Sequence, residues 1–196
     1  MKKALIIAAG CSAMLTGCSF FGGSDEVETA VANEVEAAAA GENAGKYDDV
    51  VLQLPANYKD QGPYMISDRL LQEDQVIVLY ANATARFGAK GNGKLPDESI
   101  IVGEIYAAKK GADGEVIESQ VGRRIPGELK TIVMMQRRAG WDDQYPDELK
   151  VGDWEFEAFS PSGENLGKDT SACRECHHPL TDTEFMFSYD HITAAN

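Results

Sequence analysis

The stretch ESIIVGEIYA, residues 98–107, is rich in β-branched residues and is bounded by turn formers, which is typical of a β-strand. Four further runs are short, contain apolar residues and are likewise bounded by turn formers: QVIVLYAN (75–82), EVIESQV (115–121), ELKTIVMMQ (128–136) and DWEFEAF (153–159). Several of the connections are short turns, one of them marked by Asp113-Gly114, and they cannot hold a crossover helix. The sequence therefore predicts an antiparallel sheet.

Two short helices complete the predicted α+β fold, one at 82–89 and one at about 168–178. Pro179 should end the second helix, because the residue before a proline is disfavoured in helical conformation. The aromatic residues Trp154, Phe156 and Phe159 are expected in the core, but they do not alternate strictly. The sequence leaves open which face of the sheet each one occupies.

The first 18 residues, MKKALIIAAGCSAMLTGC, have the features of an export signal: two lysines precede an apolar run well short of the about 20 residues that span a bilayer. The end of this leader, Leu15-Thr16-Gly17-Cys18, resembles the bacterial lipobox, whose cysteine is acylated and becomes the first mature residue. We therefore predict a signal peptide at 1–17 and lipidation of Cys18. An ordinary secretory leader is the alternative. Ser19 favours anchoring at the outer membrane, with the protein facing the periplasm.

The charge of the chain limits its partners. The formal net charge is −14, and loss of Lys2 and Lys3 with the leader makes it −16. A protein this acidic repels nucleic acid and anionic lipid headgroups, so membrane attachment must come from the acyl chains.

Residues 18–46 differ sharply from the rest of the chain. They contain six acidic residues, many alanines and almost no large apolar residue after Phe21. Such a segment cannot bury enough apolar surface to order itself, and we interpret it as a tether; a short helix from Ser24 to about Gly41 is the alternative. Residues 47–196 then form one domain of about 150 residues, large enough for a real core.

The decapeptide SACRECHHPL, residues 171–180, contains the two cysteines that remain in the mature chain after Cys18. Cys173, Cys176 and His177 form the Cys-x-x-Cys-His signature of c-type haem attachment. Two thiols one helical turn apart can each bond a vinyl group of one porphyrin, and the adjacent imidazole can then ligate the iron. We therefore predict one covalent haem c, with His177 as the metal ligand.

Three alternatives to haem compete for this motif. A zinc site needs four ligands, and the only other histidines are His178 and His191. A thioredoxin-like redox pair needs a βαβ unit, which the predicted sheet does not supply. The third alternative is a chance match in an exported chain.

The second axial position of the iron has no clear candidate. His178 cannot fill it, because neighbouring residues cannot ligate opposite faces of one ring. We expect the His178 side chain to be partly exposed. By chemistry alone the sixth ligand could be one of His191, Met65, Met134, Met135 and Met186. The methionines are more typical of core residues and His191 of a loop.

The chain resembles the cytochrome P460 family, which includes the cytochromes c′-β. The resemblance runs from LPANYKD (54–60) through VLYANATA (78–85), GNGKLPDESIIVGEI (91–105) and GDWEFEAF (152–159) to SACRECHHPLTDTEFMFS (171–188). It implies an antiparallel sheet packed with helices around one haem c, commonly in a homodimer. It also implies a five-coordinate iron that binds small ligands such as nitric oxide, and in true P460 enzymes oxidises hydroxylamine.

One position departs from the family. P460 enzymes cross-link a lysine to the porphyrin from the strand after the Pro-Asp turn, and the c′-β branch carries a bulky apolar residue there. The equivalent residue here is Gly103, so either the distal pocket is roomier or another side chain fills it. Lys94, Lys109 and Lys110 lie several residues away and are expected in turns. A β-bulge or a close backbone approach would also explain Gly103.

The motif and this resemblance imply a cytochrome that binds a small gaseous or nitrogen-oxide ligand, such as nitric oxide, at an open haem iron, in nitrogen-oxide detoxification. An electron-transfer cytochrome with a redox partner protein is the first alternative. The second is a hydroxylamine-oxidising or peroxidase-like enzyme, and Gly103 disfavours the oxidation of hydroxylamine. Such an enzyme would need a distal acid or base, for which location alone suggests Glu104, Tyr106 and Arg123.

Overall fold

One antiparallel sheet carries the fold. The computed structural model describes residues 50–69, 71–88 and 93–194. Five strands lie in chain order across the sheet, and each neighbouring pair is antiparallel. They are β1 (Pro63–Asp68), β2 (Gln75–Ala81), β3 (Ile100–Ala108), β4 (Pro126–Arg137) and β5 (Trp154–Phe159). The predicted antiparallel α+β fold is confirmed.

The helices are short and lie at the ends of the strands and after β5. They are α1 (Ala83–Gly88), α2 (Ser171–His177) and α3 (Tyr189–Ala194), with 3₁₀ turns at Trp141–Gln144, Asp147–Leu149 and Thr181–Thr183. The helices predicted at 82–89 and 168–178 correspond to α1 and α2, and α2 ends before Pro179 as expected. No helix in residues 50–69, 71–88 and 93–194 has the length and apolar character to cross a bilayer. The leader, Cys18 and the tether lie outside the described residues.

The pleat of the sheet separates two hydrophobic cores. In register across three strands, Ile101 pairs with Met135 and Met135 with Phe156, and this set defines the front face. The front core contains Ala81, Ala85, Leu95, Ile101, Met135, Val151, Trp154, Phe156, Met186 and Ile192. The alternate residues define the back face, whose core contains Leu52, Val102, Ile132, Met134 and Phe159. Trp154 and Phe156 thus face the front and Phe159 the back, which the sequence had left open.

Two strand predictions differ from the structure. Residues 115–121, predicted as a strand, belong to the connection between β3 and β4 and form only isolated bridges, Lys110 with Val116 and Glu118 with Arg124. This connection extends beyond the sheet, and Val121 is 82% exposed, so no core side chains fix the segment in extended register. Strand β1 was not predicted because it begins with Pro63 and shows no clean alternation; an edge strand tolerates both features.

The centre of the back face holds a buried carboxylate. Glu104 is fully buried in β3 and accepts hydrogen bonds from the hydroxyls of Tyr58 at 2.7 Å, Tyr80 at 3.0 Å and Tyr106 at 2.9 Å. The ammonium of Lys59 lies 2.5 Å from Oε1, the oxygen that also accepts the Tyr58 hydroxyl. Burial alone raises the pKa of Glu104, but these four hydrogen bonds outweigh burial and hold the pKa below its usual value. Burial and the bonds to Glu104 raise the pKa of Tyr80 and of Tyr106 to about 12.

Replacing this carboxylate should destabilise the fold. We expect Glu104→Gln to lower the free energy of unfolding by about 2–4 kcal/mol at pH 7, because the amide nitrogen cannot accept the tyrosine hydroxyls and Lys59 loses its partner. The folded-state pKa is lowered, so the stabilisation by Glu104 is present above the ordinary carboxyl pKa and is lost as the pH falls through the lowered value. Urea unfolding should therefore show a smaller difference from wild type below about pH 4.

The matched control for this experiment is Glu73→Gln, which changes an exposed glutamate in the β1–β2 connection. It should leave the unfolding free energy within about 0.5 kcal/mol of wild type. Equal stability of Glu104→Gln and Glu73→Gln at pH 7 would contradict the role given to the back-face carboxylate.

Candidate functional site

Helix α2 carries the Cys-x-x-Cys-His motif against the front core. Cys173 is half-buried and packs on the front core, whereas Cys176 is exposed. Both cysteines are free thiols. Burial raises the pKa of Cys173, which keeps that thiol protonated at neutral pH. Their three-residue spacing places the two sulfurs on neighbouring turns of one helix side.

The imidazole of His177 is held by its Nδ1 atom. Nδ1 donates a hydrogen bond to the main-chain carbonyl of Phe185 at 2.6 Å, which leaves the lone pair on Nε2. The ring also contacts Phe156 at 5.0 Å and Phe187 at 5.2 Å between ring centroids. Burial lowers the pKa of His177, so the ring is neutral at pH 7. A neutral, oriented imidazole with a free Nε2 is the form that ligates metals.

The arginine inside the motif anchors the helix. Arg174 is fully buried, and its Nη1 lies 3.1 Å from Asp142 while its Nη2 lies 2.6 Å from Glu155. It also donates to the main-chain carbonyls of Leu149 at 3.2 Å and Trp154 at 3.0 Å. The guanidinium carbon sits 3.4 Å from the centroid of the Tyr145 ring. The planar group thus reaches four partners through two separate nitrogens, an arrangement that the single ammonium nitrogen of a lysine cannot reproduce.

The loop before β5 supplies the other half of this anchor. The second oxygen of Asp142 accepts the main-chain N–H groups of Val151 and Asp153, each at 2.8 Å. Nδ1 of His178 donates to the carbonyl of Lys150 at 2.8 Å. His178 is therefore half-buried, as predicted. Its hydrogen bond connects the end of α2 to the loop that Arg174 also contacts.

Gly103 lies in the middle of the front face. It pairs regularly with Leu79 of β2 and Val133 of β4, so no bulge explains the glycine. A Cβ atom there would lie 3.0 Å from the Ile77 side chain and 3.1 Å from each of the Leu79 and Val133 side chains. Neighbouring aliphatic side chains therefore fill the space over Gly103, which was one of the two expectations for this position.

The distal acid–base candidates do not lie on the front face. Glu104 and Tyr106 point to the back and are hydrogen-bonded to each other, because adjacent strand residues face opposite sides. Arg123 is 66% exposed in the β3–β4 connection, 3.9 Å from Asp68. The structure therefore places none of these three side chains on the face of the sheet that packs against the motif helix.

The sixth-ligand candidates divide between core and surface. Met134 faces the back core, whereas Met135 and Met186 are buried in the front core, as expected for methionines. Met65 is half-buried in β1. His191 is exposed on α3 rather than in the expected loop, because residues 189–194 continue as a helix.

The residues of this site fit a c-type haem better than the alternatives. Two free thiols and a neutral imidazole with an open Nε2 are the donor set that haem attachment needs, and the 63% exposed Phe187 beside His177 offers apolar surface for a macrocycle. Within residues 50–69, 71–88 and 93–194, no three His, Cys, Asp or Glu side chains cluster to hold a metal ion. The sheet in this part of the chain is wholly antiparallel, so a thioredoxin-like βαβ unit is not formed there.

Sequence reasoning missed the residues that support the motif. Arg174 was treated as one of the two variable positions of Cys-x-x-Cys-His, and nothing local signals that it is buried. Asp142 and Glu155 gave no signal either, because they lie 32 and 19 residues before Arg174. The carbonyl of Phe185 is a main-chain group, which no residue type can reveal.

Weakening the anchor should destabilise the protein. We expect Arg174→Lys to lower the free energy of unfolding by about 3 kcal/mol, since one ammonium cannot satisfy two buried carboxylates and two carbonyls. Urea denaturation followed by circular dichroism measures the change. Arg123→Lys, at an exposed arginine, is the control and should change stability by less than about 0.5 kcal/mol. A wild-type unfolding curve for Arg174→Lys would rule out the anchor.

Comparison with known protein families assigns the chain to a family. The family model described as Cytochrome P460 matches residues 55–188, which is more than half of the sequence and includes all five strands and the motif helix. No curated protein matches the chain. The chain therefore belongs to the cytochrome P460 family, and it is a cytochrome that binds haem.

Proposed function

We propose that the protein carries one covalent haem c and uses its iron to bind small ligands such as nitric oxide, in the detoxification of nitrogen oxides. Cys173 and Cys176 hold the macrocycle and His177 ligates the iron through Nε2. The observation that supports this most is the hydrogen bond from Nδ1 of His177 to the Phe185 carbonyl, because it aims a neutral imidazole from the same helix as the two thiols.

Attachment would need the two thiols and the two vinyl groups of the haem. Each thiol would add across one vinyl double bond, with the sulfur on one carbon and the proton on the other, so no oxidant would be consumed. The anchor at Arg174 fixes α2 against β5, and thereby fixes both sulfurs and the imidazole relative to the front core. Bound haem would supply an iron with a coordination position for a diatomic ligand.

The character of the front face favours ligand binding over catalysis. The side chains that converge over Gly103 are aliphatic, from Ile77, Leu79 and Val133, and none of them can move a proton or ligate iron. Glu104 and Tyr106, the nearest titratable residues in the strand, face the back. A peroxidase-like reaction would therefore lack an acid or base from this strand.

Hydroxylamine oxidation of the P460 type is disfavoured for a separate reason. Gly103 provides no amine for a bond to the porphyrin, and Lys109 and Lys110 are exposed beyond the end of β3. We therefore expect an ordinary c-type spectrum rather than the red-shifted ferrous band of P460 enzymes.

The cellular setting follows from the leader. We infer that lipidated Cys18 anchors the protein to the outer membrane, that residues 18–46 hold residues 47–196 away from the bilayer, and that the haem domain works in the periplasm as a homodimer. The lipobox-like end of the leader and the composition of the tether support the anchoring, and the homodimer rests on the resemblance to the P460 family alone. If the iron is repeatedly oxidised and reduced, another periplasmic protein would exchange electrons with it as redox partner.

The cysteine assignment predicts the loss of covalent haem. Cys173→Ala and Cys176→Ala should each reduce haem staining on a denaturing gel, and the double variant should abolish it, because thioether bonds need the sulfurs. Ala172→Ser, a change at an exposed position of the same helix, should leave the staining intact. Staining that survives in the double variant would rule out attachment through this motif.

Ligand binding separates the proposed function from electron transfer. Carbon monoxide added to the ferrous protein should shift the absorption spectrum at a rate proportional to its concentration, since no protein ligand has to leave. A rate that saturates with carbon monoxide would indicate a sixth protein ligand and favour the electron carrier. Rapid oxidation of hydroxylamine by the purified protein would contradict the proposal.

A further inference from the structure

The turn that follows the motif helix has an unusual backbone. Glu184 and Phe185 are consecutive residues with positive φ, 51° and 60°, although neither is glycine. An L-residue is sterically disfavoured in that region because its Cβ crowds its own backbone. Such a turn persists only where surrounding contacts hold it.

Three contacts hold this turn. The indole Nε1 of Trp154 donates a hydrogen bond to the carbonyl of Glu184 at 3.1 Å, and the N–H of Phe185 donates to the carbonyl of Leu180 at 2.8 Å. The Phe185 ring lies over Gly152, where a Cβ would come within 2.6 Å of a ring carbon. Trp154 is fully buried, so water cannot replace its indole donor.

Trp154 contacts both segments that position His177: the turn that contains Phe185 and the helix α2. The carbonyl that accepts the His177 Nδ1 proton belongs to Phe185, the second residue of the turn. The main-chain carbonyl of Trp154 accepts a hydrogen bond from Arg174, on the helix that carries His177. Trp154 thus touches the turn with its side chain and the helix with its backbone.

We propose that Trp154 is a positioning residue for the histidine ligand. Its indole N–H locks the Glu184–Phe185 turn and thereby sets the hydrogen bond that the Phe185 carbonyl accepts from Nδ1 of His177. The inference rests on the proposed role of His177 as the iron ligand. A well-placed acceptor on Nδ1 makes imidazole a stronger donor and favours the ferric state. A loosened turn should therefore weaken the iron–histidine bond and raise the reduction potential.

The test uses Trp154→Phe in the purified, haem-loaded protein. Phenylalanine keeps an aromatic ring in the front core and removes the N–H donor. The iron–histidine stretching frequency of the ferrous protein, measured by resonance Raman spectroscopy, should fall, and the midpoint potential should rise. Haem staining should stay at the wild-type level. Trp141→Phe is the matched control, because the chain's other tryptophan packs on the back core and should leave both quantities unchanged.

Two changes at Glu184 separate positioning from packing. Glycine adopts positive φ without a Cβ penalty, so Glu184→Gly added to Trp154→Phe should return the frequency toward wild type. Proline fixes φ near −65°, so Glu184→Pro should lower the frequency even with Trp154 present. The proline variant also tests the inference if Trp154→Phe fails to fold.

The outcomes distinguish this inference from the proposed function. Wild-type frequency and potential in Trp154→Phe, or in Glu184→Pro if the first variant does not fold, would overturn the positioning role, as would an equal shift in Trp141→Phe. His177→Ala, measured alongside, tests the ligand itself. An iron–histidine band that persists in His177→Ala would overturn the assignment of His177, whereas loss of the band there with no change in Trp154→Phe would overturn the positioning role alone.

Discussion

The buried guanidinium of Arg174 is the constraint on which the candidate haem site depends. It lies between Asp142 and Glu155 and bonds two main-chain carbonyls as well. A buried charge is costly to desolvate, and this one is tolerated because both terminal nitrogens, Nη1 and Nη2, have carboxylate and carbonyl partners. These contacts fix the rotation of α2 about its own axis. Because Cys173 directly precedes Arg174 and Cys176 and His177 follow it in the same helix, the two sulfurs and the imidazole are fixed as well.

Adjacent residues of β3 face opposite sides of the sheet and have different surroundings. Gly103 faces the front, where Ile77, Leu79 and Val133 close over it and keep this part of the face aliphatic. Glu104, the next residue, faces the back and gathers the hydroxyls of three tyrosines. The period of two along a strand makes this separation automatic. The part of the front face around Gly103 is thus aliphatic, whereas the Glu104 carboxylate and the tyrosine hydroxyls lie on the other side of the sheet.

Most of the fold could be predicted from local patterns, and the two failures among the strands have a physical cause. Strands β2, β3, β4 and β5 are rich in β-branched or aromatic residues, so their apolar runs stand out between turn formers. Strand β1 is an edge strand that begins with Pro63, and only pairing with β2 makes it a strand. Residues 115–121 have strand-like composition, but no neighbour offers them a core. Whether such a marginal segment forms a strand depends on its pairing partner. The pattern of a single sequence does not show which segments will pair.

The sequence by itself determined the chemistry of the site. The spacing of Cys173, Cys176 and His177 is a local property of one helix, so the donor set and the resemblance to the P460 family are legible without a structure. Only the tertiary structure decided how that donor set is held. Arg174 meets Asp142 across 32 residues, His177 is oriented by a main-chain carbonyl, and the positive φ of Glu184 and Phe185 is maintained by Trp154 about 30 residues earlier. These features depend on contacts between distant segments and on backbone groups that all residues share, which is the physical reason that the sequence could not reveal them.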